Sequence, residues 1–151
     1  ADAMRVLVGV IALGYALNWF FARGRSAAKP ASLGRGTVWS TLSGFTSFSV
    51  HAGGPPIQVY LLSQQLDKGV FQATSVFFFF IVNWLKLGPY ALLGQLNLDN
   101  LSTSLVLAPL APLGIWLGTA LHARIDERLF YRVIYASLVP IGGKLIYDGL
   151  T

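Results

Sequence analysis

The chain has 151 residues, of which 54% are hydrophobic and 11% charged, against about 25% charged in soluble domains. Its apolar runs are too long to be the core of so small a soluble domain, so the composition points to a membrane. The formal charge of +5 sits in loops that flank those runs rather than along one helical face, which argues against a nucleic-acid-binding stripe. Cysteine is absent, so disulfides and thiolate metal sites are excluded, and no cofactor is implied.

The first run, Met4 to Ala22, is close to the ~20 residues that span a bilayer. Arg5 stands alone at its start and a basic loop follows, a pattern unlike a secretory leader. The chain opens Ala1-Asp2-Ala3 without an initiator methionine. We therefore expect residues 1–35 to be the last span of a first repeat, itself missing, plus a cytoplasmic loop, and residues 36–151 to be a second repeat. Arg23, Arg25, Lys29 and Arg35 crowd that loop with no acid among them. Tyr15, Trp19 and Trp39 close to it suit an interfacial belt.

Next comes the run from Thr37 to Leu62, interrupted between Ser43 and Gln58 by glycine, proline and hydroxyl residues. In hydrocarbon, non-helical backbone persists only where protein or a water-filled cavity surrounds it, so such a break marks a candidate site. Three further runs follow: Val70 to Gly94, Leu101 to His122 and Glu127 to Leu150. Neither Phe77 to Phe80 nor Leu105 to Leu121 leaves a polar stripe for water.

Charge then sets the topology. Arg124, Arg128 and Arg132 crowd the last loop, whereas the loop Gln95 to Asn100 has no base. By the positive-inside rule the last loop and the Arg23 to Arg35 loop are cytoplasmic and the Gln95 loop is external. Parity makes the loop Ser63 to Gly69 cytoplasmic too, so the Thr37 to Leu62 segment enters and leaves on one side. It reads as a re-entrant hairpin with arms from Thr37 to Val50 and from Pro56 to Gln65. The first arm of 14 residues rises ~21 Å, enough to reach or slightly pass the middle of a ~30 Å core. A single broken spanning helix is the alternative, and it places Lys68 outside or one basic loop on the wrong side. The expected fold class is thus an all-α integral membrane protein with about four transmembrane helices plus one re-entrant or broken helix. A hairpin and three spans make an odd number of crossings, so a tandem copy would be inverted, and the chain reads as half of an inverted-repeat transporter.

The stretch Gly44 to Leu62, GFTSFSVHAGGPPIQVYLL, followed by Phe71, Ala73, Thr74, Asn83, Lys86 and Tyr90, and later by Pro109, Gly114 and Gly118, resembles the second half of the TauE/SafE sulfite exporter family. The resemblance runs from about Gly36 to Gly149 and is most specific at the Gly-Gly-Pro motif. It implies a multi-pass permease of the cell membrane for sulfite, organosulfonates or related small anions. Such a permease is built from two related halves, each with a glycine-rich motif. The implied partners are the small anion, the bilayer and the missing N-terminal half, with no nucleic acid.

The motif can also be read from its own chemistry. Pro55 and Pro56 lack N–H groups, and proline suits the first turn of a helix. The donors left at the tip are then the amides of Gly53, Gly54, Ile57 and Gln58. A helix N-terminus with free amides is a ready anion site, and glycine lets an oxygen approach the backbone. Ser47, Ser49 and Gln58 add neutral donors. Alternatively, the glycines serve only close helix packing. His51 ends the first arm, either as a proton-coupling group, since histidine titrates near neutral pH, or as a neutral ring bonded to a carbonyl. His122, at a span end among arginines, is explained by interfacial solvation. The two histidines and six carboxylates lack metal-ligand spacing.

Lys86 lies well inside a span, three residues after Asn83 and so on the same helix face. Together they present an ammonium and an amide to one cavity, or Lys86 snorkels to the outer interface. Lys144, close to an outer end, snorkels. Pro109, Pro112, Pro140, Gly142 and Gly143 kink spans or let helices approach, and Gly114 to Gly118 forms a small-residue face. Two function classes follow. One is a transporter that moves a small anion by alternating access around the Gly-Gly-Pro-Pro motif, using Ser47, His51, Gly53, Gly54, Ile57, Gln58, Asn83 and Lys86. The other is an intramembrane enzyme with His51 as base and Ser47 or Ser49 as nucleophile, for which no acid orients the imidazole.

Overall fold

A computed structural model describes residues 2–21, 28–94 and 98–151. The basic-loop residues Arg23 and Arg25, and the part of the external loop from Gln95 to Asn97, lie outside the described residues. All regular structure among the described residues is helical: α1 (Asp2–Phe21), α2 (Leu33–Val50), α3 (Gly54–Leu62), α4 (Lys68–Leu92), α5 (Leu98–Leu107), α6 (Leu110–Arg124) and α7 (Glu127–Leu150). Three of these, α1, α4 and α7, are long and apolar enough to cross a membrane, and a bent pair made of α5 and α6 raises the number to four.

The strongest packing joins α1 to α7, antiparallel. A Cβ on Gly9 would lie 2.7 Å from the Gly142 carbonyl oxygen, one on Gly142 would lie 2.9 Å from the Gly9 carbonyl oxygen, and one on Gly149 would lie 2.7 Å from that of Asp2. The two backbones therefore touch. Ala12 and Ala16 continue the seam and are fully buried. Between lipid-solvated helices there is no hydrophobic drive, so small residues that admit close van der Waals contact hold the pair. Toward the other end, Trp19 stacks on Tyr135 at 4.3 Å and Tyr15 on the same ring at 5.9 Å. The small-residue face expected at Gly114 and Gly118 makes no such contact: a Cβ at either would meet nothing within 4 Å. Both instead line an apolar groove of about 820 Å³ along α6.

The expected single span from Leu101 to His122 is broken, with Leu101–Leu107 and Leu110–Arg124 meeting at 47°. Pro109 explains the break, because it has no N–H to donate and its ring clashes with the carbonyl four residues back. Asp67 and Asp126 cap their helices, accepting from Gly69 N at 2.7 Å and from Leu129 N at 3.3 Å. Lys68 Nζ donates to the carbonyls of His122 at 2.9 Å and Ile125 at 2.6 Å, placing a cation on the free carbonyls that end α6. Tyr131 donates its hydroxyl to the Leu66 carbonyl. The start of α4, the end of α6 and the start of α7 thus share one end of the molecule.

The buried core is small. Ile57, Leu61 and Leu62 of α3 meet Ala12, Ala16, Phe71, Tyr135 and Leu138, so α3 is wedged against α1, α4 and α7. The exposed surface is 10074 Å², about a third above the ~7,500 Å² of a soluble monomer of this mass. Leu105, Trp116 and Leu117 are among the large apolar side chains left open. That excess suits lipid or a further protein surface rather than water.

Candidate functional site

The glycine and proline break folds into a helical hairpin. Ser43 Oγ, fully buried on α2, donates to the Gly53 carbonyl at 2.6 Å. Nearer the base, the Tyr60 hydroxyl of α3 bridges Ser32, accepting from its N–H at 3.3 Å and donating to its carbonyl at 3.2 Å. The Lys29 N–H donates to the Ser63 carbonyl at 2.9 Å. The arms therefore run antiparallel, and the chain enters and leaves the hairpin at one end.

The arms differ from the expected Thr37–Val50 and Pro56–Gln65. Helix α2 starts at Leu33, where Ser32 is extended (φ −140°) and occupies the N-cap position. Helix α3 starts at Gly54 and stops at Leu62. It stops because Ser63 Oγ bonds back to the Tyr60 carbonyl at 2.7 Å and Gln65 turns left-handed (φ 50°). By rise per residue the arms are about 27 and 13.5 Å long.

The early start of α3 narrows the set of free donors. With Gly53 as N-cap and Pro55 and Pro56 in the first turn, the four orphan amide positions are Gly53 to Pro56, and the prolines have no N–H. Ile57 and Gln58 spend their amides inside the helix, contrary to the sequence expectation. Gly53 and Gly54 keep theirs: neither has a hydrogen-bond partner among the described residues. Ile57 itself is a core residue, 3% exposed. Gln58 contributes a side chain whose Oε1 is buried without a partner.

The two glycines have different surroundings. A Cβ on Gly53 would lie 2.6 Å from Ser47 Cβ and 2.8 Å from the Ser43 carbonyl oxygen, whereas one on Gly54 would meet nothing within 4 Å. Gly53 is a packing glycine, and Gly54 faces open space. His51, at the end of α2, is left-handed (φ 54°) and exposed, and the Ala52 N–H closes the α2 end on the Thr46 carbonyl at 3.2 Å.

Helix α4 completes the site. Lys86 Nζ donates to Ser47 Oγ at 2.5 Å, so the ammonium turns toward the hairpin tip. One turn on, Tyr90 stacks on Phe48 at 5.6 Å and meets His51 edge-on at 6.3 Å. Its hydroxyl is buried with no partner. Asn83, expected to share the cavity with Lys86, is exposed and makes no hydrogen bond among the described residues. Ser49 is exposed as well. Lys144 pairs with Asp148 at 2.8 Å near the end of α7. Tyr90 is the residue the sequence reading left out of the site. The available signal was its spacing, four residues after Lys86 and so on the same helix face.

Ser47, His51, Gly53, Lys86 and Tyr90 are thus brought together from three helices, with Gly54 opening the tip and Gln58 one turn along α3. The donors comprise an ammonium, a serine hydroxyl, a phenol and two backbone amides, and no carboxylate lies between Leu33 and Leu92 except the helix cap Asp67. Among the described residues no cluster of His, Asp and Glu could hold a metal ion. Such a set is chemically suited to an oxyanion.

Comparison with known proteins fits this chemistry. No curated protein and no solved structure matches the chain. The family model described as Sulfite exporter TauE/SafE matches residues 1–145, including α1 as well as the hairpin, and the chain belongs to that family of membrane transporters.

Proposed function

We propose that the protein is a permease that moves a small oxyanion, sulfite or an organosulfonate, by alternating access around the tip of the α2–α3 hairpin. The anion is held by the Gly53 and Gly54 amides, the Ser47 hydroxyl and the Lys86 ammonium, with Tyr90 as a further donor and Gln58 and His51 beside it. The hairpin is re-entrant from the cytoplasmic side, and the chain contributes one half of an inverted pair of repeats. The observation that carries the reading is the Lys86–Ser47 contact at 2.5 Å. It brings an intramembrane cation, a functional group by default, to the N-terminus of a helix whose first amides are free.

The enzymatic alternative draws less support. Ser47 Oγ is engaged by Lys86, and neither Ser47 nor Ser49 hydrogen-bonds His51 among the described residues. A serine paired with a lysine nonetheless also occurs in Ser–Lys hydrolases, so the fate of the anion belongs in the test. The complete protein in liposomes should carry sulfite or an organosulfonate across the bilayer and release it chemically unchanged. Lys86→Met should weaken anion binding by roughly tenfold to over a hundredfold, the loss of about 1.5–3 kcal/mol from a charged hydrogen bond. Lys144→Met, which removes an equal charge from a surface ion pair, should change it little. Equal, small effects from both substitutions reject the site, and recovery of a cleaved product rejects transport.

A further inference from the structure

A second cavity lies at the opposite end of the hairpin from Lys86, between α1, the end of α3 and the first two turns of α7. It measures about 440 Å³. Trp19, Leu62 and Tyr135 are among its apolar lining, and Glu127, Arg128 and Arg132 are its charged lining. Tyr135 and Leu62 are core residues, 5% and 1% exposed, so the floor is fixed by the packing that joins α1 to α7. Arg128 and Arg132 are exposed and one helical turn apart, and neither makes a hydrogen bond or an ion pair among the described residues.

We propose that this cavity binds the headgroup of an anionic phospholipid, with the phosphodiester on Arg128 and Arg132. Three observations favour a lipid over a small free anion. The volume falls in the ~300–1,000 Å³ range of pockets that enclose whole organic ligands, far larger than one small oxyanion requires. The lining is graded in depth, with the exposed guanidinium groups at the rim and the buried Tyr135 and Leu62 at the floor, as a glycerophosphate entering the acyl region demands. The position is the arginine-rich end of the spans, where tryptophan and tyrosine sit at headgroup level and basic pockets between helices collect anionic headgroups. Two guanidinium forks suit the paired oxygens of a phosphodiester. Phosphatidylglycerol presents its phosphodiester with no cation of its own to offset it, whereas the ammonium of phosphatidylcholine does so. The two arginines therefore favour phosphatidylglycerol, whose glycerol hydroxyls Glu127 can accept from. The inference rests on the chain's membrane placement and is independent of the anion site at Lys86.

The test is native mass spectrometry of the complete protein in mild detergent, titrated with phosphatidylglycerol or with phosphatidylcholine. One phosphatidylglycerol should be retained at least tenfold more strongly than phosphatidylcholine. The R128Q/R132Q double variant should lose that preference, each single variant should lose part of it, and Arg124→Gln, equal in charge change at the same end but outside the cavity, should keep it. Equal retention of the two lipids overturns the proposal, as does undiminished retention by a double variant that elutes as a single folded species. Displacement of the lipid by millimolar inorganic phosphate or sulfite also overturns it, and makes the cavity an aqueous anion vestibule.

Discussion

Adjacent glycines at the hairpin tip allow stability and binding to be separated, because one is packed and the other is open. In Gly53→Ala the new methyl would sit 2.6 Å from Ser47 Cβ, 2.8 Å from the Ser43 carbonyl oxygen and 3.0 Å from Ser47 Oγ. Two of those atoms belong to the α2 backbone or its first side-chain carbon and cannot rotate away. Relief requires the arms to part, which also stretches the 2.6 Å bond from Ser43 to the Gly53 carbonyl. Overpacking of this kind costs about 1–3 kcal/mol and the hydrogen bond a further ~0.5–1.5 kcal/mol, a substantial share of the ~5–15 kcal/mol that holds a typical domain folded. At Gly54 an added Cβ meets no atom within 4 Å beyond the chain neighbours, so Gly54→Val should cost less stability than Gly53→Ala. Its penalty is that of a branched residue before the Pro55 ring, while its side chain covers the free amides and abolishes anion binding. Thermal unfolding in detergent reports the first effect, and isothermal titration with sulfite or an organosulfonate reports the second. The reasoning fails if Gly53→Ala is as stable as the parent, or if Gly54→Val binds the anion with unaltered affinity.

Further outcomes follow from the same contacts. Single cysteines at Lys29 and Gln65, in a chain that has none, should be labelled from the same side of the membrane by an impermeant thiol reagent, since Lys29 bonds directly to Ser63; labelling from opposite sides would replace the re-entrant hairpin with a broken spanning helix. Gly142→Leu should separate α1 from α7 and lower thermal stability sharply, whereas Gly118→Leu, with open space around it, should not; similar melting temperatures for the two would refute the assigned seam. Lys68→Met removes two charge-assisted bonds to the end of α6 and should speed backbone hydrogen exchange in residues 119–125, with exchange at the hairpin tip serving as the internal reference.

Elements fixed by composition and charge were readable in the sequence, and those fixed by contact between distant residues were not. Apolar length alone marks α1, α4 and α7, and the proline rule marks the α5–α6 bend without giving its angle. Basic-loop parity brings Lys29 and the Ser63 loop to one end, where a hydrogen bond joins them. The helix start at Gly54 was misplaced by two residues, because proline suits several first-turn positions and only the fit of Gly53 against Ser47 selects among them. Lys86 could be read equally as a ligand or a snorkelling side chain, since periodicity gives its face but not what packs there. Asn83 shows the same limit: three residues away in sequence, it points to the outside.

The polarity of the hairpin tip follows from what surrounds two opposed helix ends. Helix α2 arrives with its carbonyl end and α3 departs with its amide end, equivalent to about −0.5 and +0.5 of a charge, so at a short distance the two nearly cancel. Two features break the balance in the same direction. The Ala52 N–H bonds back to the Thr46 carbonyl and partly satisfies the α2 end, while the prolines leave the Gly53 and Gly54 amides as the only donors of the α3 start and offer no carboxylate to neutralise them. Lys86 then adds a full positive charge beside Ser47, in the last turn of α2. A cation arriving at the tip would meet an ammonium and unpaired N–H groups, and an anion would complete both.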